Sequence, residues 1–98
     1  MMTDIKIHDN ELLRQYETTI DGQLATIEYV KQERKIFLTK VIVPNGYSEN
    51  GFVEQFINKV LLILSKGRAR LVPTCPTVAA YIRKNREFKK LLPVGVKV

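Results

Sequence analysis

Two stretches of this 98-residue chain hold residue types and spacings that could do chemistry. The first is Pro44-Asn45-Gly46-Tyr47-Ser48-Glu49-Asn50-Gly51-Phe52, which joins a strand-like run to a helix-like one. A glycine-bearing turn before a helix offers backbone N–H groups to an anion at the positive end of the helix dipole. Gly51 has no Cβ to hold a phosphate away, although two glycines before a helix also serve as plain turn residues. The second stretch is Cys75, which follows a short strand and precedes the Pro76 helix start. Helix-terminal N–H groups there favour a thiolate; the alternative is a small buried side chain filling a corner between sheet and helix. The one histidine, His8, falls in an edge strand or loop without a companion ligand and reads as a surface residue. One cysteine and one histidine cannot complete a protein-only zinc site, and no Ser/His/Asp set can be assembled around His8. No metal site is read from the sequence, and a lone cysteine forms no internal disulfide.

The elements that must position these residues follow from hydrophobic period. Residues 4–44 read as strands. Gln15–Ile20 runs into Asp21-Gly22, a two-residue hairpin signal. Ala25, Ile27 and Tyr29 then alternate with Thr26 and Glu28, the period-two mark of a half-buried strand. Gln32, Glu33 and Arg34 make a polar turn. Ile36–Val43 forms a β-branched strand closed by Pro44, Asn45 and Gly46. The period changes at Phe52: Phe52, Phe56, Ile57, Val60, Leu61 and Leu64 form one helical stripe. Ser48 with Glu49 is its expected start, and Lys66-Gly67 its stop. Arg70, Leu71 and Val72 make a short strand broken by Pro73. Pro76 suits the first position of a second helix carrying Val78, Ala79, Tyr81 and Ile82, which frays into a basic tail. Val94–Val98 is either loop or a last strand. The expected fold is therefore α+β, a mostly antiparallel sheet in the order β-β-β-α-β-α with two helices, in one domain over residues 1–98.

Composition narrows the function classes. Hydrophobic residues make up 45% and charged residues 27%, the balance of a soluble globular protein. No apolar run reaches the roughly 18 residues of a membrane span, and Met1–Asp4 shows no secretory signal. A reducing cytoplasm is the expected compartment. The net charge of +6 favours anionic partners. Its late excess, Lys66, Arg68, Arg70, Arg83, Lys84, Arg86, Lys89 and Lys90, is read as a solvated basic face or as a set serving cofactor phosphates. Nucleic acid is not expected, since only Tyr81 and Phe88 accompany these cations and both fit helix packing.

Three separated motifs together resemble a known family. Gln15-Tyr16-Glu17, then Asp21-Gly22, then Ala25, Ile27 and Tyr29 resemble its opening pattern. Val43-Pro44, with Gly51 beyond, resembles its Val-Pro and glycine loop. Val72-Pro73-Thr74-Cys75-Pro76, followed by Ala80-Tyr81-Ile82 and Asn85, resembles its closing Pro-x-Cys motif and short helix. The chain is thus similar, from residue 15 to about 93, to the short single-domain members of the GNAT N-acetyltransferase superfamily. The resemblance implies acetyl-CoA as cofactor and an unidentified amine as acceptor. It puts the cofactor's pyrophosphate on the N–H groups of Glu49, Asn50, Gly51, Phe52 and Val53, and its pantetheine arm beside Val41, Ile42 and Val43. It adds Asn85 to the cofactor contacts and gives Cys75 a catalytic part at the thioester. The superfamily loop reads Gln/Arg-x-x-Gly-x-Gly/Ala, whereas Ser48–Val53 keeps only its middle glycine. A non-catalytic CoA-binding or protein-interaction relative is the alternative reading.

Overall fold

Alternating apolar and polar residues build the sheet, and two tight turns set its register. The computed structural model describes residues 5–46, 51–93 and 95–96. Strands β1 (His8–Asn10), β2 (Gln15–Ile20), β3 (Gln23–Gln32) and β4 (Lys35–Ile42) pair antiparallel in succession. Strand β5 (Arg70–Pro73) joins β4 in parallel, so the sheet order is β1-β2-β3-β4-β5. Helix α1 (Phe52–Ser65) crosses from β4 to β5, and helix α2 (Pro76–Lys84) and a 3₁₀ helix (Arg86–Leu91) follow. This is the α+β, mostly antiparallel architecture that the sequence implies. Of the edge strand or loop expected at His8 the strand forms, and a 3₁₀ helix replaces the expected fraying tail.

The turns behave as their residues require. Ile20 pairs with Gln23 across Asp21-Gly22, whose φ values of 50° and 76° are both positive, as a type I′ turn demands. Gln32 pairs with Lys35 across Glu33-Arg34, and Glu33 holds φ 57° without being glycine. The left-handed region costs an ordinary residue roughly 1–2 kcal/mol, so the pairing on either side must hold it there.

One face of the sheet carries the core. Tyr16, Ala25, Ile27, Tyr29, Ile36, Leu38 and Leu71 are all buried on it. They form one cluster with Phe52, Phe56, Ile57, Val60, Leu61 and Leu64, the stripe that the period of 3.6 singles out on α1. Val78 and Ile82 of α2, with Phe88 and Leu91 behind it, complete the cluster. Tyr81 is only half-buried and lies against Phe88, with ring centroids 6.0 Å apart.

The boundaries of α1 differ in part from expectation. Its N-cap is Gly51, and the expected start at Ser48 and Glu49 lies outside the described residues. At the other end Lys66 is the cap, and the Gly67 N–H donates to the Leu64 carbonyl at 3.1 Å. Gly67 is not among the residues of positive φ, so this stop does not depend on its being glycine. Pro76 opens α2 at its first turn, where its missing N–H costs nothing.

The β1–β2 end of the core contains two tyrosines with high pKa values. Tyr29 donates its hydroxyl hydrogen to Asp9 Oδ1 at 2.6 Å, and the Tyr16 ring lies 5.0 Å from its own. Burial pushes the Tyr16 hydroxyl up to about 12, and the negative charges of Asp9 and Glu11 add to it. Burial, then the bond to Asp9, also raises Tyr29. An unfolded tyrosine titrates near pH 10. The raised folded values mean that this stability is complete below about pH 10 and is lost as pH climbs toward about 12. Urea unfolding midpoints should therefore fall steeply across that window, and Tyr16→Phe should flatten the fall. Equal pH profiles for the two proteins would contradict the assignment.

Candidate functional site

The site begins where two paired strands part. β4 and β5 run together only from Lys35↔Arg70 to Leu38↔Pro73. Pro73 has no N–H to extend the ladder. The chain turns there, and two donors converge on the carbonyl of Leu38: the Cys75 N–H at 3.0 Å and the Thr74 hydroxyl at 3.0 Å. β4 continues to Ile42 while β5 stops. The β5-facing edge of β4 beyond Leu38 therefore has no strand partner among the described residues. An extended ligand bearing amides can lie along such an edge as a strand would.

A bulge sits at the same point. Tyr29 pairs with Leu38 and Glu28 with Lys40, so Thr39 is the extra residue, and its hydroxyl donates to the Glu28 carbonyl at 3.3 Å. The inserted residue shifts the phase of β4. Ile36 and Leu38 face the core before it, and Val41 and Val43 pack against the core after it. Bulges re-aim backbone groups next to functional sites. Sequence reasoning marked Val41, Ile42 and Val43 along this strand but missed Thr39 and Lys40. The only trace in the sequence is the polar pair Thr39-Lys40 between two apolar triplets, Ile36-Phe37-Leu38 and Val41-Ile42-Val43.

Helix α1 follows β4 in the chain, and α2 follows β5 and packs on both strands. Gly51 caps α1 with φ 83°. A Cβ there would meet nothing within 4 Å, so the position needs glycine for its backbone angle rather than for room. Phe52 and Val53 are buried, 1% and 6% exposed, with their side chains in the core. Glu49 and Asn50, also assigned to the cofactor, lie outside the described residues. Asn85 caps the far end of α2 and donates from Nδ2 to the Tyr81 carbonyl at 2.9 Å. It lines a groove of about 320 Å³ between the helices, together with Glu54, Ile57, Thr77 and Lys84. Asn58 Nδ2 donates to the Tyr81 hydroxyl at 2.7 Å, tying α1 to α2 beside that groove. The fold therefore brings Asn85 to the first two turns of α1.

Cys75 is the N-cap of α2 and is 7% exposed. Its amide is committed to Leu38, so it sits at the point where β4 and β5 separate. His8 is exposed on β1 at the far edge of the sheet, four strands from β5. Among the described residues no three His, Cys, Asp or Glu side chains gather as metal ligands. No helix among them is long and apolar enough to cross a membrane. The late basic residues divide: Lys84 lines the groove, whereas Arg68 lies at the opposite end of α1.

Comparison with known proteins identifies a family. The family described as GCN5-related N-acetyl-transferase matches residues 15–91. That span runs from the first residue of β2 to the last residue of the 3₁₀ helix. A search of curated proteins finds no match.

The two helix-flanking glycines should respond in opposite ways to a methyl group. Gly51→Ala should destabilise the fold by about 1–2 kcal/mol, because the left-handed angle is strained for alanine. At Gly67 a Cβ would meet only the Leu64 carbonyl, at 3.6 Å. Gly67→Ala should be neutral or stabilise by up to about 1 kcal/mol through the unfolded chain. Urea denaturation of both variants checks the contrast, and equal effects would refute it.

Proposed function

The chain belongs to the GCN5-related N-acetyltransferase family, and we propose that it transfers an acetyl group from acetyl-CoA to an amine acceptor. In this reading residues 1–98 act as one domain in a reducing cytoplasm. The observation that carries it is the free edge of β4 beyond Leu38, which begins at the bulge; the next element in the chain is the helix capped by Gly51. The pantetheine arm, which carries two amides, pairs along Thr39–Val43. The pyrophosphate meets first-turn amides of α1, including those of Val53 and Glu54, where the helix dipole favours negative charge. Asn85 and Lys84 border the groove beside that turn.

The chemistry then needs little beyond position and polarity. A neutral amine attacks the thioester carbon and a C–N bond forms. The negative charge on the carbonyl oxygen is held by a β4 amide at the bulge. Collapse breaks the C–S bond, and the departing thiolate of CoA takes a proton. Cys75, at the fork of β4 and β5, supplies that proton, and its thiolate is reprotonated by the proton lost from the amine nitrogen. In the covalent variant its sulfur first accepts the acetyl group, releases CoA, and then passes the group to the amine. The low exposure of Cys75 and the retention of only the middle loop glycine in Ser48–Val53 favour one rival. In it the chain is a CoA-binding relative without turnover.

CoA or acetyl-CoA at about 100 times its dissociation constant should stabilise the fold by about 2.7 kcal/mol. For a chain of this size that raises the melting temperature by roughly 10 °C or more. Cys75→Ala should keep this shift while acetyl transfer to an amine panel falls to background, the pattern of a group used only in the chemical step. No shift with millimolar CoA would remove the cofactor. A shift without turnover in the parent protein would establish the rival.

A further inference from the structure

The fold collects basic residues that are far apart in the sequence at the end of the molecule away from Gly51. The β3–β4 turn supplies Lys31, Arg34 and Lys35, and the α1–β5 connection supplies Arg68. These four line one open pocket of about 530 Å³, with Glu33 as its one carboxylate and Ala69 as its one apolar side chain. The segments are fixed against each other. The Arg70 N–H donates to the Arg34 carbonyl at 2.8 Å, and Arg70 Nη1 donates to the Lys90 carbonyl at 2.9 Å. The second bond brings the Lys89-Lys90 pair of the 3₁₀ helix to the same end, and Lys66 caps α1 two residues before Arg68. Eight cations and one carboxylate thus outweigh the whole chain's net +6, leaving the other residues close to neutral.

The proposed cofactor site does not explain this cluster. α1 has 14 residues, so its two ends lie about 21 Å apart, and the cluster sits at the end where the helix dipole is negative. The pocket's chemistry selects the partner. A protein partner would need an apolar or aromatic anchor at the centre of the contact, and this lining offers only Ala69. The lining also has no aromatic ring on which a base could stack. Tyr81 and Phe88, the aromatic residues nearest the late cations in sequence, pack on each other instead. What remains is a cluster of exposed Lys and Arg side chains on backbone segments held together, suited to a chain of phosphates.

We propose that this basic end is a docking surface for the phosphodiester backbone of a nucleic acid, bound without sequence preference. The sequence reading set nucleic acid aside because only Tyr81 and Phe88 accompany the late cations and both fit helix packing. Folding splits that group of cations and joins part of it to the β3–β4 turn. The surface is independent of acetyl transfer and stands or falls separately from it.

Fluorescence anisotropy of the full chain with labelled 20-nucleotide RNA and DNA strands tests it. Binding should be similar for poly-U and mixed sequence. Four phosphate contacts should give a slope of about 3 for log Kd against log salt concentration on a single strand. Arg34→Gln with Arg68→Gln should weaken binding at least tenfold and lower that slope by about 1.4. Lys6→Gln with Lys59→Gln, the same change in net charge, should cost less than threefold. Glu33→Gln should tighten binding, a gain that no loss of folding can mimic. Absent binding at 50 mM salt, or equal loss in both double variants, would overturn the proposal. Stronger binding to polyglutamate or to anionic vesicles than to RNA would also overturn it, in favour of a protein or membrane partner.

Discussion

The carbonyl of Leu38 determines how the two halves of this structure meet. It receives the Cys75 amide and the Thr74 hydroxyl, and so closes the β4–β5 ladder at the residue where Pro73 can no longer extend it. One residue later Thr39 bulges out of register with β3. Together these events free one edge of β4, redirect its core-facing positions and anchor the start of α2. A buried carbonyl with two donors is well satisfied, so the fork is a stable feature of the fold. The strand edge and Cys75 both take their positions from it.

Much of this was legible in the sequence because it rests on local rules. Asp21-Gly22 specifies a type I′ turn by residue type alone, and the Phe52–Leu64 stripe identifies a helix by period alone. Pro76 marks the start of α2 for the same kind of reason, since a residue without an N–H suits a first turn. The bulge was harder. Its trace is the polar pair Thr39-Lys40 between Leu38 and Val41, easily absorbed into a run of β-branched residues that looks continuous. The 3₁₀ helix escaped because its buried residues, Phe88 and Leu91, are separated by lysines that look like a solvated tail. The pairing of the β3–β4 turn with the late cations could not be read at all. It depends on the Arg70 N–H reaching Arg34, a contact between segments 36 positions apart in the chain.

The molecule is polar along α1. At one end lie Gly51 and the open strand edge, suited to a phosphorylated cofactor by backbone groups rather than side-chain charge. At the other end lie the cations, fixed by hydrogen bonds of Arg70 to Arg34 and Lys90. In the proposed reading, this division lets a chain with a net +6 use few of its cations at the cofactor. Binding of pyrophosphate by first-turn amides needs no lysine, because the helix supplies the partial charge. The core leaves Cys75 in an analogous position, at a helix start and beside the strand fork, with its exposure set by packing.

The central claim is that the β4 edge beyond Leu38 binds the cofactor as a strand would. Amide hydrogen exchange of Thr39–Ile42, measured by NMR with and without CoA, tests it most directly. The account predicts that at least one amide on the β5-facing edge of this segment becomes strongly protected. The amides of β2 should keep their rates. Unchanged exchange along Thr39–Ile42 in a sample saturated with CoA would contradict it.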